Sequence, residues 1–458
     1  MNNNRKFTLN TNQNIIVEFT DERIIPASGL AVVGALLGKS DFAKKLNRMD
    51  VTKNRSQHQI KNGDIILTYI GMLCMGKPYF EAVHEMDDDK AFYQAALGIT
   101  RNIPSEETLR QRMDDIGDSL RETILNENVE LLISNKIHPT ALPNGFVPVD
   151  IDVTPMDNSK SPKEGVSRTY KGFDGYAPMM AYIGTEGYAI NFELREGKQH
   201  CQNGTVEFLQ ETIRLCKKLT DQPLLVRLDS GNDSIDNIAV LIDAGCYFII
   251  KRNLRRESKD GWFDMAKQYC QNITTPRDGK TVYVGSDWKD VCSKQFHKEF
   301  TLRTGYEITE RTVDKYGQIL LIPDVEVETW WTNLGAADEE IIQLYHAHGE
   351  CEQFHSEIKT DMDLERLPSG KFTTNALVLE LGLIAYNILR MIGQGTIGGR
   401  SPRQKRDVRR RRLHTVISNL IMMASHVATH ARQLIMGLGK SNVWRHLFAD
   451  FCESSVAL

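Results

Sequence analysis

The segment FVPVDIDVT, residues 146–154, decides the fold. Its apolar residues between positions 147 and 153 predict a buried β-strand that two acids interrupt. Asp150 and Asp152 are two residues apart, so on a strand both side chains point to the same face. Asp152 is nearer the carboxyl end of the strand, which is where open α/β sheets bind their ligands.

The sequence after this strand alternates between strand and helix patterns. Two strands are predicted first, at 177–184 and 187–194. A helix, a strand, a helix and a strand then follow at 203–219, 224–228, 234–244 and 246–250. The order β-β-β-α-β-α-β predicts an α/β fold with a mixed sheet of the ribonuclease-H kind.

The rest of the chain divides into regions by composition and pattern. Residues 1–145 are predicted to be helical, and their segment 39–61 has a net charge of +5, which favours a DNA-binding domain. A solvated helical face would give the same charge run. The further boundaries are 146–252 for the first part of the core, 253–325 for a β-rich insertion, 326–392 for the rest of the core and 393–458 for a basic linker and helical C-terminal region. Within the rest of the core, helices are predicted at 338–359 and 373–392.

The composition excludes several classes of protein. Of the 458 residues, 41% are hydrophobic and 25% are charged, which is close to the average of soluble globular proteins and excludes collagen-like and low-complexity chains. The N-terminus lacks the apolar region of a signal peptide, and the longest apolar stretch, 376–392, is interrupted by charged residues. Eight scattered cysteines without a CxxC pair disfavour a structural zinc site and favour a reducing cytosol.

The charge is unevenly distributed along the chain. Residues 1–149 carry 17 Lys and Arg against 19 Asp and Glu, whereas residues 400–458 carry 11 against 3. Since the whole chain has a net charge of −4, the middle region carries an excess of ten acids. An acidic middle beside a basic tail fits a carboxylate-rich metal site next to a surface that binds a polyanion.

Two more acids are predicted to lie near Asp152 in the folded chain. Asp229 directly follows the predicted strand in LLVRLDSG, residues 224–231, and it would meet Asp152 if the first and fourth strands are neighbours. Glu352 lies in the middle of the helix predicted after the insertion. Three carboxylates placed in this way can hold two Mg²⁺ ions about 4 Å apart.

Each acid taken alone has a simpler interpretation. An Asp at a strand end is more often a turn former or a helix cap, and a helical Glu is more often solvated. The chain lacks the phosphate-binding loop G-x-x-x-x-G-K-[ST] and the nucleophile elbow G-x-S-x-G. The metal-site hypothesis therefore depends on the three acids acting together.

The helix around Glu352 carries a recognisable spacing. Four of its residues fit Y-x2-R-x3-E-x6-K with His in place of Arg: Tyr345, His348, Glu352 and Lys359. This pattern resembles the signature of bacterial insertion-sequence DDE transposases, and most of all the insertion-sequence thirteen-eighty group. Segments that resemble other motifs of this family are DVT (152–154), REG (195–197), RLDSG (227–231), TNL (332–334) and AYN (385–387). The resemblance covers residues 146–392 and is looser at both ends.

The resemblance implies roles for individual residues. Asp152, Asp229 and Glu352 would be the metal ligands and catalytic residues of a ribonuclease-H-like core, with Mg²⁺ as the cofactor and Mn²⁺ able to substitute. Tyr345 and Lys359 would contact DNA phosphates beside the cut end.

The imidazoles of this helix are less certain phosphate ligands. The four signature positions step by 3, 4 and 7 residues, so on a helix they project from one face. His348 departs from the family pattern, because neutral His offers one donor where Arg offers a rigid fork. His355, one turn after Glu352, could reach the same phosphates and is equally typical of a helix surface.

Further DNA contacts are predicted outside this helix. Trp288 is expected in a turn of the insertion, where it could stack on a base displaced from the duplex. A basic segment after the linker is expected to bind phosphates non-specifically: Arg403, Lys405, Arg406, Arg409, Arg410, Arg411 and Arg412. A solvated linker is the alternative, but so many cations would repel one another without an anionic partner.

The sequence therefore predicts a DNA transposase that binds terminal inverted repeats, cleaves the element ends and transfers the 3′-OH into target DNA. The expected partners are double-stranded DNA and a second copy of the chain, without a membrane, in the bacterial cytoplasm at the nucleoid. Two alternatives remain open, namely a nuclease of the same fold without strand transfer and an inactive DNA-binding descendant.

Overall fold

The computed structural model describes residues 6–49, 51, 59–398 and 408–456. The N-terminal region is mostly helical, as predicted, but it begins with a hairpin. Its elements are β1 (Lys6–Asn10), β2 (Asn14–Glu18), β3 (Ile24–Ile25), α1 (Leu30–Leu37), α2 (Phe42–Arg48), α3 (Asn62–Cys74), α4 (Lys90–Leu97), α5 (Glu106–Ile116) and α6 (Arg121–Ser134), with 3₁₀ segments at Phe80–Asp89 and Gly117–Leu120.

The alternating region supplies five strands at one end of a nine-stranded sheet and three further short strands that form a separate small sheet. Its elements are β4 (Val147–Val153), β5 (Met156–Asp157), β6 (Ser167–Arg168), β7 (Asp174–Tyr176), β8 (Met179–Ile183), β9 (Tyr188–Glu193), α7 (Thr205–Leu219), β10 (Leu224–Leu228), α8 (Ile235–Asp243) and β11 (Tyr247–Lys251). The spatial order is β9-β8-β4-β10-β11, in which β4 is antiparallel to β8 and parallel to β10. The predicted mixed sheet of the ribonuclease-H kind is confirmed, and its first and fourth strands are neighbours.

The insertion extends this sheet. A helix, α9 (Lys259–Tyr269), precedes the strands β12 (Asn272–Arg277), β13 (Lys280–Ser293), β14 (Lys298–Val313) and β15 (Ile319–Thr332). The end of β15 pairs antiparallel with β11, so all four strands continue the sheet beyond β11. The expectation of a turn at Trp288 was wrong, because Trp288 lies inside β13 opposite Arg303. The short β-like runs predicted in this region belong to long strands, because β13, β14 and β15 pair with one another along most of their length.

The chain after the insertion is less regular than predicted. Its elements are α10 (Asp338–His346), α11 (Cys351–Ser356), α12 (Phe372–Gly395), α13 (Leu413–Val416), β16 (Ser425–His430), β17 (Gln433–Leu438) and α14 (Arg445–Phe451). The helix predicted over 338–359 is divided by a 3₁₀ turn at Ala347–Glu350 and ends in a π turn at Glu357–Asp361. The C-terminal region also contains strands, since β16 pairs with both β17 and β3. The two ends of the chain therefore share one small sheet.

The long helix α12 forms the centre of the core behind the sheet. It is long and apolar enough to span a membrane, but 94% of its most apolar window is buried inside the protein. Tyr386 donates a hydrogen bond to the carbonyl of Gly187 (3.0 Å), and the Asn387 amide bonds to both the N–H and the carbonyl of Ala189. These bonds fix α12 against the β8–β9 hairpin and explain the AYN motif as a packing device.

Candidate active site

Three acids from three separate elements meet in one open cleft of about 830 Å³. Asp152 is the penultimate residue of β4, and Asp229 directly follows β10. Because Ile151 and Leu228 are register partners on these parallel strands, the next residue of each brings the two carboxylates side by side. Glu352, in the first turn of α11, completes the lining. The three acids named from the sequence thus line one cleft.

The electrostatics of Asp152 reflect this crowding. Its side chain is 24% exposed, at the floor of the cleft. Burial and, after it, the neighbouring charge of Asp229 raise the pKa of Asp152 to about 6, with a smaller effect from Glu352. The carboxyl therefore holds its proton more tightly than an ordinary Asp, because its charged form is buried and lies beside other negative charge.

The other two acids have few partners of their own. Asp229 accepts one side-chain hydrogen bond, from the Asn232 amide at 2.7 Å. Glu352 is exposed to the cleft, and within the described part of the chain it has no hydrogen bond or ion pair. Lys171 and Lys359 line the same cleft, but among the described residues none of the three acids forms an ion pair with Lys or Arg. Three partly exposed carboxylates of this kind fit hard divalent ions such as Mg²⁺, which prefer oxygen ligands.

A tighter group of possible metal ligands lies beside the cleft. Among the described residues, one set of three has its ligand atoms within 4.8 Å of one another, namely Glu307, Glu328 and His346. Glu328 is already paired with the ammonium of Lys251. The ligand atoms of the three cleft acids are more widely spaced than this set, and in the described part of the chain none of them forms an ion pair with a lysine as Glu328 does.

Tyr345 and Lys359 border the cleft on either side of Glu352. Burial raises the pKa of the Tyr345 phenol, and the negative charge of Asp229 adds to this, so the phenol remains a hydrogen-bond donor. The ammonium of Lys359 donates to the carbonyl of Pro155 and lies 3.8 Å from Glu365, while burial lowers its pKa. Both side chains present donors at the edge of the acidic cleft.

His348 is buried beneath this surface. Its Nδ1 lies 2.9 Å from Oδ1 of Asp150, which also receives two hydrogen bonds from Arg227, at 2.6 and 2.7 Å. Burial alone would raise the pKa of Asp150, but Arg227 and His348 lower it to about 2. One of the two imidazole nitrogens is therefore hydrogen-bonded to a protein carboxylate.

His355 is also buried, next to the cleft. Its Nδ1 lies 3.8 Å from Oδ2 of Asp152, and its Nε2 lies 3.6 Å from the thiol of Cys351. Burial and, to a smaller extent, the charges of Lys359 and His348 lower the pKa of His355 to about 3. His355 is thus a neutral side chain that packs beside Asp152.

The basic segment reaches the other side of Glu352. Arg410 and Arg412 line a second cleft of about 430 Å³ that shares Glu352 with the first. Arg410 stacks on Phe354 and donates to Gln353 at 2.7 Å, while Arg412 pairs with Asp361.

The other cations of the segment differ in accessibility. Arg409 is exposed, whereas Arg411 is buried and donates to the hydroxyl and carbonyl oxygens of Thr396. Arg403, Lys405 and Arg406 lie outside the described residues.

Sequence reasoning missed two residues at the cleft and selected one that lies elsewhere. Tyr170 and Lys171, in the loop between β6 and β7, line the cleft beside the acids. Burial raises the pKa of Tyr170 to about 12, with help from Asp152. The basic and aromatic run RTYK at 168–171 could have indicated them. Trp288 is 63% exposed and is not among the cleft-lining residues.

Two of the other sequence motifs have structural roles. Arg195 is buried and donates to Glu193 and to the carbonyl of Cys201, which fixes the turn after β9. The Asn333 side chain bonds to the backbone of Cys246 and Phe248, which fixes β15 against the start of β11. These residues shape the sheet that carries the acids.

Comparisons with known proteins point to one family. The family model described as "Transposase DDE domain group 1" matches residues 7–455. No curated protein matches the chain. A solved structure aligned with this chain is a cryo-EM structure of a piggyBac transposase synaptic complex with hairpin DNA, at 11% identity and a TM-score of 0.38, covering 80% of this chain and 73% of that chain. Because the family model spans almost the whole sequence, the chain belongs to the DDE-domain transposases of group 1.

Proposed function

We propose that this protein is a Mg²⁺-dependent transposase of an insertion sequence, most similar to the thirteen-eighty group. It binds the terminal inverted repeats through its N-terminal and C-terminal regions, cleaves the element ends and joins the freed 3′-OH to target DNA. The observation that carries this proposal is the convergence of Asp152, Asp229 and Glu352 in one open cleft.

The three acids would hold two Mg²⁺ ions, for which Mn²⁺ should substitute. Bound metal supplies the activation of a water or a 3′-OH and the stabilisation of the leaving oxygen. The acids themselves fix the position of the reacting phosphodiester, and the phenol of Tyr345 and the ammonium of Lys359 orient its non-bridging oxygens. Tyr170 and Lys171, which line the same cleft, would contact the same strand.

The second cleft would receive another part of the DNA backbone. Arg410 and Arg412 provide two guanidinium groups there, on the far side of Glu352. Since two element ends must be brought together for strand transfer, we expect a homodimer on DNA, acting at the nucleoid in the bacterial cytoplasm.

Cleavage of labelled element ends tests the proposal. Asp152→Ala, Asp229→Ala and Glu352→Gln should each abolish cleavage in Mg²⁺ while end binding, followed by fluorescence anisotropy, stays within about twofold, since each acid contacts metal and not the repeat sequence. Glu350→Gln is the matched control, because Glu350 is an exposed acid outside the larger cleft. Retained cleavage in any of the three variants would overturn the assignment.

The same assay with a target plasmid separates the transposase from its alternatives. A transposase joins the labelled 3′ end to the plasmid, whereas a nuclease of this fold releases the cut strand without joining it. An inactive DNA-binding descendant would bind the ends and cut neither strand in Mg²⁺ or Mn²⁺.

A further inference from the structure

A buried ionic cluster lies next to the three acids of the cleft. It consists of Asp150, Arg227 and His348, and we call it the buried clamp. All three residues are at most 8% exposed. Such complete burial of charge is costly unless every group is paired, so the contacts within the cluster decide whether it is tolerated.

Each member of the buried clamp comes from a different element. Arg227 on β10 forms a two-pronged hydrogen bond with Asp150 on β4 (2.6 and 2.7 Å) and donates its remaining nitrogen to the carbonyl of Leu344 on α10 (2.7 Å). His348, in the turn after α10, lies 2.9 Å from the same carboxylate. The Asp150 carboxylate and the Arg227 guanidinium therefore join β4, β10 and the end of α10.

The buried clamp repeats the pattern of the catalytic acids one step earlier in sequence. Asp150 and Arg227 precede Asp152 and Asp229 by two residues, and His348 precedes Glu352 by four. Two residues along a strand return the side chain to the same face, so Asp150 lies on the same face of β4 as Asp152. His348 lies in the 3₁₀ turn that leads into α11.

The helix α11, which carries Glu352, lies far in sequence from the strands that position the two aspartates. The insertion, residues 253–325 and the strand β15, separates it in sequence from β4 and β10. The helix is also broken by the turn at Ala347–Glu350, which lies between the Leu344 contact and Glu352. His348 lies within this turn, so its bond to Asp150 anchors the turn directly, beside more distant ties such as those of Lys359 to Pro155 and of Arg390 to Glu357.

We propose that the buried clamp is a positioning device that sets the spacing of the three metal-binding acids, and that His348 acts in it instead of contacting DNA phosphate. This inference rests on the proposed function, since it assumes that the acids bind divalent metal. Apolar side chains could stabilise the same contact, but they would not fix its register, because dispersion contacts are non-directional whereas a forked guanidinium pair is directional.

Mn²⁺ binding to the full-length protein without DNA tests the proposal, measured by the electron paramagnetic resonance of free Mn²⁺. Arg227→Lys, which cannot form the fork, should weaken Mn²⁺ binding by about 10- to 100-fold, as is typical when residues that orient metal ligands are changed. His348→Ala should weaken it by about tenfold, and His348→Gln, which keeps a side-chain donor, should lose less. End binding in Ca²⁺ should remain within about twofold of wild type.

Arg121→Lys is the matched control. Arg121 likewise donates to a carboxylate and to a backbone carbonyl, those of Glu211 and Phe192, but it ties α6 to β9 and α7 away from the cleft. It should lower the melting temperature while leaving Mn²⁺ affinity unchanged. A clamp with a merely structural role would behave in the same way as this control.

The outcomes are distinguishable. If the Arg227 and His348 variants are folded and bind Mn²⁺ as tightly as wild type, or if His348→Gln loses end binding instead, the buried clamp is not a positioning device. If Arg227→Lys fails to fold, the two His348 variants decide the question. Wild-type protein that binds Mn²⁺ but neither cuts nor joins DNA would defeat the proposed function and leave the clamp standing, whereas absence of Mn²⁺ binding in wild type would defeat both.

Discussion

Two rows of charged residues, both running from β4 across the end of β10 to the segment comprising the 3₁₀ turn and α11, have opposite surroundings. In the cleft, Asp152 faces other acids, and burial and Asp229 raise its pKa to about 6. Two residues earlier on β4, Asp150 is bonded to Arg227 and His348, which together lower its pKa to about 2 despite burial. The difference teaches that position on a strand does not decide the role of an acid. The partner that each carboxylate meets decides it.

The comparison also separates the carboxylates that stabilise the fold from those that are available to bind a metal ion. A carboxylate whose charge is compensated inside the protein stabilises the fold, and a carboxylate left uncompensated costs stability but is available to a cation from solution. The predictions below would break this division or sharpen it.

The largest expected effect is on the free energy of unfolding. Asp150→Asn should lower it by about 3–5 kcal/mol, because Arg227 loses the charge that compensates its burial. Asp152→Asn should instead raise it by about 1–3 kcal/mol at pH 7.5 without metal, because it removes a charge that the fold disfavours. Urea denaturation in the presence of EDTA measures both variants. If both variants changed the free energy of unfolding by the same amount in the same direction, the buried clamp and the cleft acids would not differ in their effect on stability.

A smaller effect is expected from pH on metal binding. In metal-free protein Asp152 holds its proton below about pH 6, so a metal ion must displace that proton. The affinity for Mn²⁺ should be nearly constant above pH 7 and fall by about tenfold per pH unit below pH 6. Isothermal titration between pH 5 and pH 8 measures this. An unchanged slope in Asp152→Asn would show that another group is titrating.

The smallest effect concerns the basic segment beside the second cleft. Arg409→Ala, Arg410→Ala and Arg412→Ala should each reduce the slope of log affinity against log salt by about 0.9 if each arginine contacts one phosphate. Arg411→Ala is the control, because its buried guanidinium already bonds to Thr396, and it should lower stability without changing the slope. Equal slopes for all four variants would show that this segment is not a phosphate contact.

The core of the fold could be predicted from the sequence because its signals are local. The apolar runs before Asp152 and Asp229 gave the bounds of β4 and β10, and turn residues separated the elements between them. The meeting of the two aspartates followed from strand order. The position of Glu352 depended on the family resemblance, because a single helical acid carries little information of its own.

The features that were missed depend on contacts between distant residues. The pairing of β15 with β11, which joins the insertion to the main sheet, and that of β16 with β3 link segments that no local pattern connects. The burial of His348 could not be predicted either, since its partner Asp150 lies 198 residues earlier. The break in the helix at Ala347–Glu350 contains Gly349, which could have served as a warning.

The central claim is that Asp152, Asp229 and Glu352 together bind divalent metal at one scissile phosphodiester. Anomalous diffraction from crystals of the protein with element-end DNA and Mn²⁺ tests it most directly. Two anomalous peaks about 4 Å apart, each touching carboxylate oxygens of these three residues, are the predicted result. Mn²⁺ bound only at Glu307, Glu328 and His346, with the three cleft acids unliganded, would contradict the account.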